Sequence, residues 1–291
     1  MLFRSPSDEK TILTSDGIAS LTDFPRSIVI LGAGVIGCEF ATIFSNYRKT
    51  KVYLIDKEER ILPFEDEDIS HAVASNLERN GVVIHHGASL EKMSIVDGKV
   101  EYILNYKDGR HEILTVEKAL ISVGRVANTD NLGLDAAGVA LNDRGFVDDE
   151  DTQTNVSHIY AVGDLTADIS LVNVGELEGR YAIEKMFGDP QHELVYDNIS
   201  TIMFLNPEVA SVGLNEIQAR RKKIPYRVAV MNYRYVNRAI AMSKTEGFFK
   251  LLVTDDEQMH ILGLRVMGDH ASSTIEAVAR SEEHTSELQS H

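Results

Sequence analysis

Ser27–Asp56 reads SIVILGAGVIGCEFATIFSNYRKTKVYLID, and the order of its parts decides the fold. Ser27–Leu31 is a short apolar run of strand type. Gly32, Gly34 and Gly37 follow in the pattern GxGxxG. The next segment places Ile36, Phe40, Ile43, Phe44 and Tyr47 on one helical face. A second strand, Val52–Ile55, ends at Asp56. Strand, glycine turn, helix, strand is a βαβ unit. Each glycine has a physical reason: Gly32 permits the tight turn, Gly34 lets the backbone approach a pyrophosphate, and Gly37 lets helix and strand pack closely. The helix start, with Val35 and Ile36 in its first turn, offers free N–H groups and a positive dipole end to phosphates. Asp56 stands 19 residues after Gly37, at a strand end, where a carboxylate accepts hydrogen bonds from a ribose 2′-OH. The segment therefore predicts a dinucleotide site. Asp56 favours NAD over NADP because a carboxylate repels a 2′-phosphate, while Lys57 and Arg60 nearby could blunt that choice.

Working outward, residues 6–26 read as polar and loop-like. A helix is expected from about Asp68 to Arg79, stopping at Asn80-Gly81, with a strand over Val82–His85. Asp97-Gly98 and Asp108-Gly109 each sit between alternating segments, a hairpin signal in which both turn positions need positive φ. They predict a three-stranded antiparallel meander inserted in the βαβ domain. Ala119–Val123 reads as a last buried strand before Gly124-Arg125. From about Gly145 the character changes. A short apolar run, Ile159–Val162, leads to Gly163-Asp164, and a helix is expected over Val172–Phe187. After Gly188-Asp189-Pro190 the pattern is β-rich, with strands near Thr201–Phe204, Tyr226–Met231, Gly247–Val253 and Ile261–Val266. A helix is expected near Asn215–Arg221, and Val278 and Ala279 lie in another.

Composition narrows the function classes. The 291 residues carry a net charge of -16, from 29 Lys+Arg against 45 Asp+Glu. That argues against nucleic acid or an anionic membrane as partner, since phosphate binding needs basic patches. No apolar run reaches the roughly 18 residues of a membrane helix. The single cysteine, Cys38, excludes an internal disulfide, a CxxC pair and a Cys-rich zinc site. A cytoplasmic location is expected. Both ends look foreign. Arg280–His291, RSEEHTSELQSH, resembles the translation of a sequencing adapter, and MLFRS resembles its partner. The natural protein is expected to extend beyond both.

Five motifs in order carry a family resemblance: Gly32–Glu39 (GAGVIGCE), Gly124–Thr129 (GRVANT), Tyr160–Asp164 (YAVGD), Asn206–Gly213 (NPEVASVG) and Gly263–Gly268 (GLRVMG). The chain resembles the flavoprotein pyridine nucleotide–disulfide oxidoreductases, in particular dihydrolipoamide dehydrogenases and soluble pyridine nucleotide transhydrogenases, over roughly residues 11–279. The resemblance implies an α/β protein with a Rossmann-type NAD domain carrying the meander, part of an FAD domain and a truncated α+β dimerisation domain. The divisions expected are 1–5 and 280–291 as adapter-like, 6–25 as the end of the FAD domain or a linker, 26–146 as the NAD(P) domain, 147–190 as the returning FAD domain, and 191–279 as the dimerisation domain of a homodimer. By resemblance, Gly163 and Asp164 face the flavin, with Asp164 holding the ribityl hydroxyls. The helix starting at Val172-Asn173 points its positive end at the flavin pyrimidine. Dehydrogenases of the lipoamide type carry Ala-His there, so Val172-Asn173 leans toward the transhydrogenases. Glu39 borders the nicotinamide and flavin side, as a catalytic candidate. Gly124 lets NAD lie close to the sheet end, and Arg125 bounds the pocket. The first FAD fingerprint and the redox cysteines lie upstream in this family, and the His–Glu acid–base pair lies downstream.

The implied parent passes hydride between NAD(H) and FAD and on to a disulfide, with a small or protein-bound lipoyl substrate. Two alternatives stand beside it: transhydrogenation without a disulfide relay, and a non-catalytic nucleotide-binding fragment. Other residues are set aside. Cys38 reads as buried packing. His85 and His86 face opposite ways on a strand and make no metal pair, and no metal site is expected. Glu65–Asp68 reads as a solvated helix start. Arg220–Lys223 is too isolated for nucleic acid.

Overall fold

The computed structural model describes residues 7–188, 190, 193–196 and 199–288, with side chains as far as Ala279. Residues 1–5 and the side chains of 280–291, the adapter-like ends, lie outside that description. The chain divides into two compact units, one formed by residues up to Gly124 together with those from Ser200, the other by Arg125–Ile199.

The first unit opens with β1 (Ile12–Leu13) and α1 (Ser15–Ile18), which correct the reading of this stretch as loop. Ile12 and Leu13 are buried, and too short a run to register as periodic. Then come β2 (Ser27–Leu31), α2 (Val35–Asn46), β3 (Lys51–Ile55), α3 (Glu67–Arg79), β4 (Val83–His85), β5 (Ala88–Val96), β6 (Lys99–Tyr106), β7 (His111–Val116) and β8 (Lys118–Ile121). Five of the strands form a parallel sheet in the order β1-β8-β2-β3-β4. Ile28–Leu31 are all buried, as expected for a strand covered on both faces. The helix α2 buries Gly37, Cys38, Ala41 and Phe44. Ile43 and Tyr47, read as part of the core face, are 44% and 60% exposed. Small residues hold the inner face at the start of the helix, where it lies closest to the sheet, and Phe44 fills the core further along. Phe24 closes over the outer face, 4.6 Å from the Tyr47 ring and 6.1 Å from that of Phe44.

The meander β5-β6-β7 forms as expected and covers the other face, where Val100, Tyr102 and Leu104 pack on Val29 and Leu31. Asp97 and Gly98 both take positive φ, 50° and 73°. At the second turn only Gly109 does, at 86°. Four residues separate β6 from β7 there, and the longer loop, closed by Tyr106 N–H donating to Arg110 O at 3.0 Å, relieves Asp108 of the need. His85 sits under the meander, its Nδ1 2.6 Å from the Tyr106 hydroxyl. Among the described residues its Nε2 has no hydrogen-bond partner, nor does the Tyr102 hydroxyl. Burial pushes the imidazole pKa down. His86 faces away, 3.7 Å from Glu78.

The second unit holds α4 (Leu134–Ala137), β9 (Asp149–Glu150), β10 (Gln153–Thr154), a 3₁₀ turn at Gly163–Leu165 and α5 (Val172–Phe187). The run Ile159–Val162 is no strand; only Tyr160 bridges, to Gln153.

The chain then returns to the first unit with β11 (Thr201–Met203), β12 (Val209–Gly213), α6 (Glu216–Arg221), β13 (Tyr226–Asn232), α7 (Asn237–Ala241), β14 (Gly247–Thr254), β15 (Ile261–Gly268) and α8 (Ala271–Leu288). The strands form an antiparallel sheet in the order β11-β12-β15-β14-β13. Met203, Leu205, Val209 and Met267 join the core built by α2 and α3, and Ile275, Val278 and Ala279 of α8 cover the sheet.

Charge locks this sheet to the parallel sheet, and here the reading of Glu65–Asp68 as solvated holds for Glu67 and Asp68, which are exposed, but fails for the first two. Glu65 and Asp66 are 4% and 2% exposed. Lys250 of β14, itself buried, reaches Asp66 at 3.0 Å, Asp68 at 2.8 Å and Glu216 at 2.6 Å. Arg265 of β15 meets Glu65 at 3.3 Å and donates to the carbonyls of Val212, Gly213 and Leu214. Burial works against the Lys250 ammonium, but its bonds to Asp68, Glu216 and Asp66 outweigh that and hold its pKa above the ordinary range.

Two outcomes follow. Lys250→Met leaves buried carboxylates uncompensated and lowers urea-unfolding stability by about 3–5 kcal/mol. His85 has a folded pKa below its ordinary 6.5. The unfolded chain therefore takes the proton first, and stability falls as pH drops through that value. The wild type loses stability by this route as pH falls through and below 6.5, and His85→Phe flattens the slope; an unchanged pH profile in the variant removes His85 as the cause.

Candidate functional site

The glycine turn between β2 and α2 is held by contacts that admit no side chain at two positions. Gly32 has φ +93°, and a Cβ there would lie 2.5 Å from the Ser122 carbonyl oxygen. A Cβ on Gly37 would lie 1.9 Å from Gly32 O. Gly34 is different. Its φ of -77° suits any residue, and nothing lies within 4 Å of where its Cβ would be. No side chain caps the start of α2 at Gly34, so the first-turn N–H groups at Val35 and Ile36 keep their donor capacity.

That open side faces a cavity of about 710 Å³ at the C-terminal edge of the parallel sheet. Of the residues expected at a nucleotide site, Gly32, Gly34, Asp56 and Gly124 line it. Gly124 takes φ +144°, a conformation reserved for glycine. The Asp56 carboxylate is fixed at both oxygens: Oδ2 accepts from Ala33 N–H at 2.6 Å and Oδ1 from Glu58 N–H at 2.9 Å. Each oxygen retains a further lone pair. Of two cations near it, Arg60 is engaged by backbone carbonyls, whereas Lys57, its side chain 82% exposed, lines the cavity. Arg60 donates to Glu65 O at 2.7 Å and Pro63 O at 3.2 Å, and Lys57 lies 3.8 Å from Glu58.

Sequence reading missed part of the wall: Phe64, Ser89, Leu90 and Ser122. Ser122 ties the end of β8 to the glycine turn, its hydroxyl donating to Leu31 O at 2.7 Å. The usable signal was positional for Ser122, since in open parallel sheets ligands sit at the carboxyl ends of strands and it directly follows β8; Ser89 and Leu90 come from the start of the meander strand β5. Glu39 is elsewhere. Its Oε1 accepts from Phe204 N–H at 2.9 Å, and it does not line the cavity. Cys38 is buried, and burial, with Asp56 and Glu39 nearby, pushes its thiol pKa up, away from reactivity.

The second unit collects the other candidates. Gly163 has φ +70° and packs on Gly175, where a Cβ would stand 3.3 Å from Gly163 Cα. Its N–H donates to Glu178 Oε2 at 2.6 Å. Glu178 is 1% exposed, and its other oxygen accepts from the Tyr196 hydroxyl at 3.0 Å. This buried carboxylate, unforeseen from sequence, sets the turn that carries Asp164. Burial and Glu178 push the Tyr196 phenol pKa up. Asp164 pairs with the guanidinium of Arg125. Val172, at the start of α5, is 93% exposed; Asn173 is exposed beside it, and no side chain caps this helix end.

Among the described residues no group of three or more His, Cys, Asp or Glu could hold a metal ion, and no helix is long and apolar enough to cross a membrane. Residues 6–179 match the family model described as pyridine nucleotide-disulphide oxidoreductase, and 199–283 match its dimerisation domain. A soluble pyridine nucleotide transhydrogenase of Chromohalobacter salexigens is 39% identical over 274 residues, covering 94% of this chain and 57% of the relative. A dihydrolipoyl dehydrogenase of Chlamydia muridarum is 35% identical over 268 residues, covering 92% and 56%. Among solved structures, the HOCl-induced flavoprotein disulfide reductase RclA from Escherichia coli aligns with a TM-score of 0.84 at 28% identity, over 93% of this chain and 61% of that one. The chain thus spans little more than half the length of the curated relatives it matches, 57% and 56%. With a family model matched across both units and two sheets of the corresponding kinds, this chain belongs to the pyridine nucleotide-disulphide oxidoreductase family.

Proposed function

We propose that the protein binds NAD(H) in the cavity at the Gly32–Gly37 turn and exchanges hydride with FAD. One observation carries the reading: an uncapped helix start and the open side of Gly34 face a cavity of about 710 Å³ whose rim holds a fixed carboxylate. Gly34 and the first turn of α2, at Val35 and Ile36, would take the pyrophosphate, Asp56 the ribose hydroxyls, and Gly124 would leave room at the sheet end. Asp164 would accept from flavin hydroxyls, and the exposed start of α5 at Val172-Asn173 would offer donors and a positive dipole end to an electron-rich ring edge. Both positions are exposed, Asp164 on the Gly163–Leu165 turn, where a flavin hydroxyl would share its carboxylate with Arg125, and Val172-Asn173 at an uncapped helix start. When bound, the two cofactors supply the hydride donor and acceptor; the protein fixes their groups and excludes competing contacts. Glu39 belongs to the nicotinamide side in this reading. The match of residues 199–283 supports a homodimer.

NAD is favoured over NADP because Asp56 repels a 2′-phosphate and Arg60 is turned to backbone carbonyls, which leaves Lys57 as the one cation in the cavity lining. For the overall reaction, transhydrogenation and lipoyl-disulfide chemistry are both represented among the relatives. Val172-Asn173, in place of the Ala-His expected of lipoamide enzymes, favours transhydrogenation.

The test is calorimetric titration of the chain with NADH and NADPH. NADH binds more tightly, and Asp56→Ala narrows the preference by about tenfold, or 1.4 kcal/mol. Gly34→Val costs no backbone strain at φ -77° and adds atoms only on the cavity side, so it should fold normally. It nevertheless weakens NADH by more than about tenfold, because the pyrophosphate can no longer reach the backbone. Unchanged NADH affinity in Gly34→Val overturns the assignment. Bleaching of added FAD by NADH, lost in Asp164→Ala, checks the flavin half.

A further inference from the structure

The antiparallel sheet of the first unit carries another cavity, about 330 Å³, beside α7 and the start of α8. It shares no lining residue with the nucleotide cavity. Its size falls within the roughly 300–1,000 Å³ of small-ligand sites. The floor is Tyr233, 5% exposed, stacked on Phe249 with ring centroids 4.8 Å apart and planes 28° apart. Backbone fixes that floor. The Tyr233 hydroxyl donates to Asp269 O at 3.2 Å, and a Cβ on Gly268 would stand 2.3 Å from the ring, so the residue type at 268 makes the seat. Val236, Ala239 and Met242 make an apolar wall.

The rim is cationic. Arg238 and Lys244 line it, and among the described residues neither forms an ion pair. The carboxylate in the same lining, Asp269, has its own neighbour, His270 Nε2 at 3.5 Å. Ser273 adds a hydroxyl. In a chain of net charge -16, a cavity lining with two cations, Arg238 and Lys244, against one carboxylate, Asp269, is a local exception that attracts an anion.

We propose that this cavity binds a small aromatic anion, a planar ring bearing one phosphate or carboxylate. The ring lies along the Val236–Met242 wall at the edge of the Tyr233–Phe249 pair, where edge-to-face contact and burial stabilise it. The anionic group sits between Arg238 and Lys244, as charge-assisted hydrogen bonds require. The site is independent of the nucleotide reading and of any flavin chemistry.

Phenyl phosphate is the probe, titrated into the chain by calorimetry and by ligand-observed NMR. It binds saturably, and inorganic phosphate and phenol, each lacking one half of the recognition, bind at least about tenfold more weakly. Arg238→Ala with Lys244→Ala weakens phenyl phosphate by a further factor of about ten or more. Both side chains are exposed, so the double variant keeps its unfolding midpoint. Saturating NADH leaves phenyl phosphate binding unchanged. Displacement by NADH, equal affinity in wild type and double variant, equal affinity for inorganic phosphate, or no saturation by about 10 mM would each overturn the proposal.

Discussion

The fold turns on a contact that leaves no room for a carbon atom. Gly37 lies so close to the Gly32 carbonyl that a Cβ would stand 1.9 Å from it, and Gly32 is pressed as tightly against Ser122. This draws α2, β2 and β8 together at one end of the parallel sheet. Near that contact the inner face of α2 holds the small Cys38 and Ala41, and Phe44 enters the core a turn further along. It also aims the open helix end into the cavity. Packing and site are therefore one constraint, imposed at two glycines and exploited at the third, Gly34.

Charge does for the second sheet what close packing does for the first. Lys250 and Arg265 enter from neighbouring strands and meet Glu65, Asp66, Asp68 and Glu216. Isolated, each such group would be unwelcome in a core; together they leave few unsatisfied charges and permit few alternative registers between the two sheets. The acids also lie at the starts of α3 and α6, where helix dipoles favour them.

What could be read from sequence was what acts locally. The strand, glycine turn, helix and strand of Ser27–Asp56, the turn at Asp97-Gly98 and the helix Val172–Phe187 each announce themselves within a few residues, and each is present. The cavity was legible where glycines and Asp56 define it. The rest was hidden by distance along the chain. Lys250 bonds to Asp68 across 182 positions and Arg265 to Glu65 across 200, so nothing near the acidic run betrayed its burial. Arg125 and Asp164 are 39 apart, and the pairing of Glu178 with Gly163 crosses a turn and half a helix. β1 escaped because two residues carry no pattern, and β12, as long as β2, because its small residues Ala210, Ser211 and Gly213 break up any apolar run.

The chain's single cysteine has a practical side. Cys38 is fully buried, and its thiol is held in the protonated form by its surroundings. Alkylating reagents therefore meet a silent background in the folded protein. A cysteine placed on any exposed loop becomes a unique attachment point for a fluorophore or spin label, without first deleting the native one. The two compact units can thus be tagged singly or as a pair, and their motions followed in solution, on a chain whose core remains chemically untouched.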